Sequence, residues 1–223
     1  MDRRLEHLKS GILVGAVLVL AFTSVRREFR SGSTISASTA SATKIHNWKS
    51  VALGIIGDSL PTDKVLVVEF SDLECPFCRR FHTALAAAVD SIGPEKFKMH
   101  FAHFPLPQHR FAIPAAKAAE CARTQGKFNQ FVASVFSSQD SLGLKEWTQI
   151  AHDAGVADTS ALARCTLLQA MPTAIVDGIA SGKRLGVKGT PTVIVNGWRF
   201  SIAPYDSIGA VLRRAVSGEA YQR

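Results

Sequence analysis

The apolar run Val65-Leu66-Val67-Val68-Glu69-Phe70, followed at once by Cys75-Pro76-Phe77-Cys78, constrains this chain more than any other feature. A continuous apolar run of this length suits a strand buried on both faces. Pro76 suits the first turn of a helix, where its missing N–H has no partner to lose. Two cysteines three residues apart then lie on one helix face, near enough to bridge. The first sits at the helix N-terminus, where unpaired N–H groups and the helix dipole favour its thiolate. A thiolate that attacks, and a second thiol that releases what the first has captured, are the two parts of a disulfide exchanger.

The rest of the folded part reads outward from this unit. An amphipathic helix from Pro76 to Val89 carries Phe77, Phe81, Leu85, Ala88 and Val89, and Gly93-Pro94 ends it. Residues 97–104 alternate as a second central strand, completing a β-α-β unit. On the N-terminal side, Trp48 to Ile56 reads as a first strand or hairpin arm at a sheet edge, before a turn around Pro61. On the C-terminal side, five helices are expected: from Pro114 to Gly126, over Phe128 to Phe136, from Leu144 to Ala154, from Asp158 or Thr159 through Cys165, and from Pro172 to Lys183. Strand periodicity returns at Thr192 to Val195. Asn196-Gly197 marks a hairpin into Trp198-Arg199-Phe200, and a helix from Pro204 to Val216 closes the chain. The fold class is α/β.

The chain has 223 residues and a formal charge of +8, with 47% hydrophobic and 20% charged residues. That composition is globular. The basic residues are scattered in short runs such as Arg26-Arg27 and Arg79-Arg80, without a basic stripe interleaved with aromatics, so nucleic-acid binding is not expected. Residues 1–30 read as a signal peptide or signal anchor. Asp2-Arg3-Arg4 and Lys9 precede an uncharged stretch from Ser10 to Val25, and Arg26, Arg27 and Arg30 follow it. The stretch is short for a spanning helix, which needs about 20 residues. Ser/Thr/Ala-rich residues 31–44 read as a flexible linker, and the folded domain as residues 45–223. Export places the four cysteines in an oxidising compartment, where an even count favours a structural bridge between Cys121 and Cys165; two buried reduced cysteines are the alternative.

Four motifs together resemble the DsbA-like thiol:disulfide oxidoreductases of bacteria, in their membrane-anchored branch. They are Val68-Glu69-Phe70-Ser71-Asp72-Leu73-Glu74-Cys75-Pro76-Phe77-Cys78, His103-Phe104-Pro105-Leu106 with His109, Ala118-Ala119-Glu120-Cys121-Ala122, and Gly186-Val187-Lys188-Gly189-Thr190-Pro191-Thr192. The resemblance implies a thioredoxin-like fold with a helical subdomain inserted at about residues 110–186, behind an N-terminal apolar helix. It makes Cys75 the nucleophile at the exposed helix start and Cys78 its more buried partner. Pro191 matches the family's cis-proline, facing the cysteines, and Thr190 offers its backbone to an extended substrate. Pro76 and Phe77 complete the expected substrate surface. Glu69 matches a buried acid that moves protons to or from the inner cysteine. Phe77 brings no positive charge between the cysteines, where strongly oxidising members carry His, so a lowered but less extreme thiol pKa is expected.

The function these residues imply is disulfide formation in exported proteins, outside the cytoplasm and tethered to the inner membrane. Reduced or unfolded exported proteins are the expected substrates, and a membrane quinone-linked thiol oxidase the redox partner. No cofactor and no metal are expected. A reductase or isomerase using the same site is one alternative, and a non-catalytic thiol- or metal-binding module another. Against zinc, Cys121 and Cys165 lack a knuckle-like spacing. His82, His100, His103 and His109 lack a matching ligand set and read as surface or packing residues.

Overall fold

The computed structural model describes residues 41–57, 59–201, 207–219 and 221. The expected signal segment and residues 31–40 of the linker lie outside the described residues. Among the described residues, no helix is long and apolar enough to cross a membrane.

Five strands form one sheet among the described residues, in the order β1-β5-β4-β2-β3. They are β1 (Ser41–Lys44), β2 (Val65–Ser71), β3 (Phe97–His103), β4 (Thr192–Val195) and β5 (Trp198–Ser201). β2 is buried along its whole length. It pairs parallel with β3, Glu69 opposite Phe101, and antiparallel with β4, Glu69 opposite Val193. The parallel pair requires a crossover, which the long helix α2 (Pro76–Ile92) supplies. β4 and β5 form the hairpin expected at Asn196-Gly197, and β1 pairs antiparallel with β5.

Strand alternation divides β2 between two cores. Val65 and Val67 pack with Phe81 and Leu85 of α2 and with Ile208 and Leu212 of α8 (Ile208–Ser217). Leu66, Val68 and Phe70 face the other way, towards Ala52 of α1 (Trp48–Ile56) and Val187. A third core lies among α3 (Ala112–Arg123), α4 (Phe128–Ser137), α5 (Trp147–Asp153) and α6 (Thr159–Thr166). It joins Phe131, Val135, Ile150 and Leu162 to Leu73, Cys75 and Cys78. The helices inserted between β3 and β4 thus share their interior with the dithiol.

Two stretches differ from the sequence reading. Trp48–Ile56 is a helix, not an edge strand or hairpin arm. Its apolar residues Trp48, Val51, Ala52, Ile55 and Ile56 fall at helical spacing, and Gly57 ends it in the left-handed conformation with its N–H on the Leu53 carbonyl. Residues 41–44, read as the end of the linker, are strand β1: a free sheet edge recruits backbone groups, which Ser, Ala, Thr and Lys all carry. Of the expected helices, α7 (Thr173–Arg184) packs on the sheet. A Cβ at Gly178 would stand 2.3 Å from the His103 carbonyl oxygen, so only glycine permits this approach.

Two further ties hold the helices. Cys121 of α3 and Cys165 of α6 are joined by a disulfide, 44 residues apart in sequence. His103 at the end of β3 meets Glu120 of α3 at 2.7 Å, and Arg123 donates to the same carboxylate from Nε at 2.8 Å. The Arg123 guanidinium stacks over the Phe128 ring at 3.5 Å.

Candidate active site

β2 delivers the chain at Ser71 into a three-residue loop, and α2 begins at Pro76 with Cys75 as its N-cap in extended conformation. Asp72 organises that loop. Its buried carboxylate accepts from the Glu74 N–H at 2.8 Å, from the Leu106 N–H at 2.7 Å and faces His109 Nδ1 at 2.8 Å. Its own main-chain N–H donates to Cys78 Sγ at 3.4 Å. From the inserted helices, the Gln139 side-chain amide donates to the carbonyls of Leu73 at 2.9 Å and Cys75 at 3.0 Å. The cysteine loop is therefore fixed from the β3–α3 connection on one side and from the helical insert on the other.

Opposite the cysteines, the loop before β4 carries a cis peptide bond between Thr190 and Pro191. The Thr190 carbonyl oxygen lies 3.5 Å from Cys75 Sγ, 115 residues away in sequence. Cys75 and Cys78 are unbonded, so this is the reduced dithiol. The two thiols are strongly unequal. The Cys78 thiol donates to Cys75 and is the main reason that Cys75 is lowered from 9.0 to about 5. Burial opposes that shift, while the Cys78 and Phe77 N–H groups add to it. Burial pushes the Cys78 thiol up, and the charge on Cys75 pushes it further. One sulfur is thus a thiolate at neutral pH and its neighbour a thiol.

A family profile described as Thioredoxin matches residues 55–213. The chain belongs to the thioredoxin family. Among solved structures, it is similar to a thioredoxin-like oxidoreductase from Silicibacter pomeroyi at 25% identity, covering 75% of this chain and 98% of that one, with a TM-score of 0.60. It shares its fold with the oxidoreductase DsbA from Xylella fastidiosa at 18% identity, covering 71% of this chain and 88% of that one, with a TM-score of 0.57. Among curated proteins, it is 30% identical over 162 residues to a protein named Na(+)/H(+) antiporter NhaA 1 from Mycolicibacterium vanbaalenii, covering 66% of this chain. The chain spans only 24% of that antiporter's length.

The thioredoxin-family frame brings Cys75, Cys78, Thr190 and Pro191 to one place and sets Pro76 and Phe77 on its rim. Phe77 is 50% exposed beside this site. Cys75 departs from the exposed position read from sequence, being only 3% exposed. Its helix N-terminus is roofed by the Thr190 loop and the insert, which sequence order hides. Glu69 is buried in β2 on the face towards α2, and its Oε1 has no hydrogen-bond partner among the described residues. Cys121 and Cys165 lie in the insert, bonded to each other. Among the described residues, no cluster of three His, Cys, Asp or Glu side chains is arranged to hold a metal ion. Sequence reasoning missed Asp72, His109 and Gln139 as organisers of the loop. Asp72 and His109 lie within the motifs that carry the family resemblance, where no role falls to them, and Gln139 carries no signal. His103, expected at the surface or in helix packing, is buried on Glu120.

Proposed function

We propose that this thioredoxin-family chain is a thiol:disulfide oxidoreductase that forms disulfides in reduced, exported proteins outside the cytoplasm. A substrate thiolate attacks Cys75 Sγ of the Cys75–Cys78 disulfide, forming a mixed disulfide and releasing Cys78. Cys78 takes up a proton, with Glu69 as its donor. The substrate's second thiol, deprotonated, then attacks the substrate sulfur bonded to Cys75, and Cys75 leaves as a thiolate. Two substrate thiols have become a disulfide and the enzyme holds the two electrons, for return to a membrane quinone-linked thiol oxidase.

The observation that carries the oxidising direction is Cys75, lowered to about 5. A stabilised thiolate favours the reduced enzyme, which makes its disulfide the better oxidant. The value lies between about 7 in thioredoxin and about 3.5 in a strong oxidant of the DsbA type. The disulfide between Cys121 and Cys165 supports an oxidising compartment, because such bonds persist outside the cytoplasm. Thr190, Pro191, Pro76 and Phe77 form the surface on which an extended substrate lies, with the Thr190 backbone as its hydrogen-bonding edge. Residues 1–30 provide the export signal or inner-membrane tether.

The test is oxidative refolding of a reduced, unfolded substrate by the full chain against Cys75→Ser, together with the potential of the Cys75–Cys78 couple. Turnover by the wild type alone, at a potential well above about −270 mV, is expected. A potential at or below that of thioredoxin would assign the site to reduction instead.

A further inference from the structure

Cys78 must gain a proton whenever it leaves a disulfide, and it is buried in the core. β2 places Ser71 and Glu69 on the face that packs against α2. α2 places Cys78 and His82 one turn apart on the face that packs against β2. Ser71 is buried at the end of this row, and its hydroxyl has no hydrogen-bond partner among the described residues. Next along the same row, Glu69 Oε2 stands 3.8 Å from His82 Nδ1. Neither Glu69 Oε1 nor His82 Nδ1 has a hydrogen-bond partner among the described residues. Two buried polar atoms left bare cost free energy that a merely structural pair would recover by closing the gap. A separation of 3.8 Å is too long for a direct bond and suits a bridging water.

The His82 ring also reaches outward. Nδ1 is buried, yet the side chain is 29% exposed, so the exposure belongs to the rest of the side chain. His82 and Glu69 both line an open groove of about 880 Å³ along β3, the strand at the sheet's edge. From α4, the Phe136 ring lies against the imidazole at 5.0 Å and holds it in place. The charged and titratable groups lining the same groove are Asp90 of α2, His100 of β3, Arg123 of α3 and Asp177 of α7. By strand alternation His100 points to the opposite face of the sheet from Phe101, away from His82. Of the carboxylates lining the groove, Glu69 is the one that stands 3.8 Å from His82 Nδ1.

We propose that His82 is the positioning residue that carries protons between solvent and Glu69, and through Glu69 to Cys78. The inference rests on the exchange chemistry proposed above. When the substrate thiolate forms its bond to Cys75 Sγ, the Cys75–Cys78 bond breaks and its electron pair stays on Cys78. Protonated Glu69 gives its proton to that thiolate. The Glu69 carboxylate is reprotonated from imidazolium at His82, and the imidazole recovers its proton from water in the groove. In the return reaction each transfer reverses. No oxidant beyond the substrate-facing disulfide is needed.

The test is stopped-flow reaction of the oxidised full chain with a cysteine-containing peptide, followed across the imidazole range, about pH 5–8. His82→Ala and His82→Gln are compared with wild type, Glu69→Gln and Cys75→Ser. Both His82 variants should slow Cys78 release roughly ten- to a hundredfold, at or below the low end of what a positioned proton carrier contributes. The wild-type pH dependence assigned to imidazole should vanish in both. Added imidazole should restore the rate of His82→Ala in a concentration-dependent way, which a packing role would not do. Unchanged rates in both His82 variants, or a deficit indifferent to imidazole, would overturn the proposal while leaving Glu69 and the thiols intact. If wild type reacts no faster than Cys75→Ser, the exchange reading fails and this inference falls with it. If Glu69→Gln reacts like wild type, no acid stands between His82 and Cys78 and the relay is refuted.

Discussion

The side-chain amide of Gln139 donates to the main-chain carbonyl of Cys75 at 3.0 Å and to that of Leu73 at 2.9 Å. One buried amide thereby joins the inserted helices to the two residues that flank the turn into α2. The Cys75 carbonyl also receives the Arg79 N–H at 3.2 Å, as the first turn of a helix requires. Gln139→Leu keeps the side-chain bulk and strips both bonds from the loop. It should lower the unfolding free energy by about 1–3 kcal/mol, the cost of leaving a buried polar group unsatisfied. Urea denaturation of the reduced protein measures it.

Cys75 binds its proton near pH 9 in the unfolded chain and near 5 in the folded, reduced chain. Between those values the unfolded chain holds more protons, so the reduced protein becomes more stable as pH rises. That stabilisation is complete above about pH 9 and is lost as pH falls through about 5. The ultraviolet absorbance of the thiolate should titrate with the lower midpoint. In Cys78→Ala the midpoint should move up, because the largest lowering contribution is the bond that Cys78 donates.

Acid should destabilise the fold in two successive windows. Burial pushes His100 from 6.5 down to about 4, and the charges of Arg123, His103 and Lys98 add to it against Glu120. Burial alone would raise Glu120, but the bonds from His103 and Arg123 outweigh it and bring the carboxyl from 4.5 to about 2. In both windows the unfolded chain binds the extra proton, so stability falls as pH falls. His100→Gln should flatten the decline between about 6.5 and 4, and Glu120→Gln that between about 4.5 and 2. Denaturant titrations at a series of pH values separate the two.

The disulfide between Cys121 and Cys165 closes a loop across 44 positions. Removing it with a double alanine variant should lower stability by about 2–4 kcal/mol. Neither sulfur is a reacting atom in the proposed exchange, so peptide exchange by the folded fraction should persist. Calorimetry and the exchange assay on the same preparation distinguish the two effects.

What the sequence made legible was local. The apolar run of β2, the cysteine pair with Pro76 and the Asn196-Gly197 hairpin each carry their signal within a few residues. Trp48–Ile56 reads as a strand from sequence because Gly54 and dense apolar content mask a spacing of three and four. β1 was hidden because an edge strand is selected by backbone pairing with β5, to which side-chain composition contributes little. The site's inner organisation was hidden for a different reason. Asp72 with His109, Gln139 with Leu73, and Thr190 with Cys75 meet across 37, 66 and 115 positions of sequence. No periodicity reports on such meetings.

The covering of Cys75 has a consequence for which proteins can be clients. Cys75 is only 3% exposed and roofed by the Thr190 carbonyl, which keeps it out of reach of a cysteine held on a rigid, convex surface. A thin, extended segment can slide beside the Thr190 backbone and bring its thiol in line. In the exchange proposed above, the site would therefore sieve by foldedness, admitting chains still open and leaving finished proteins with stable surface thiols alone.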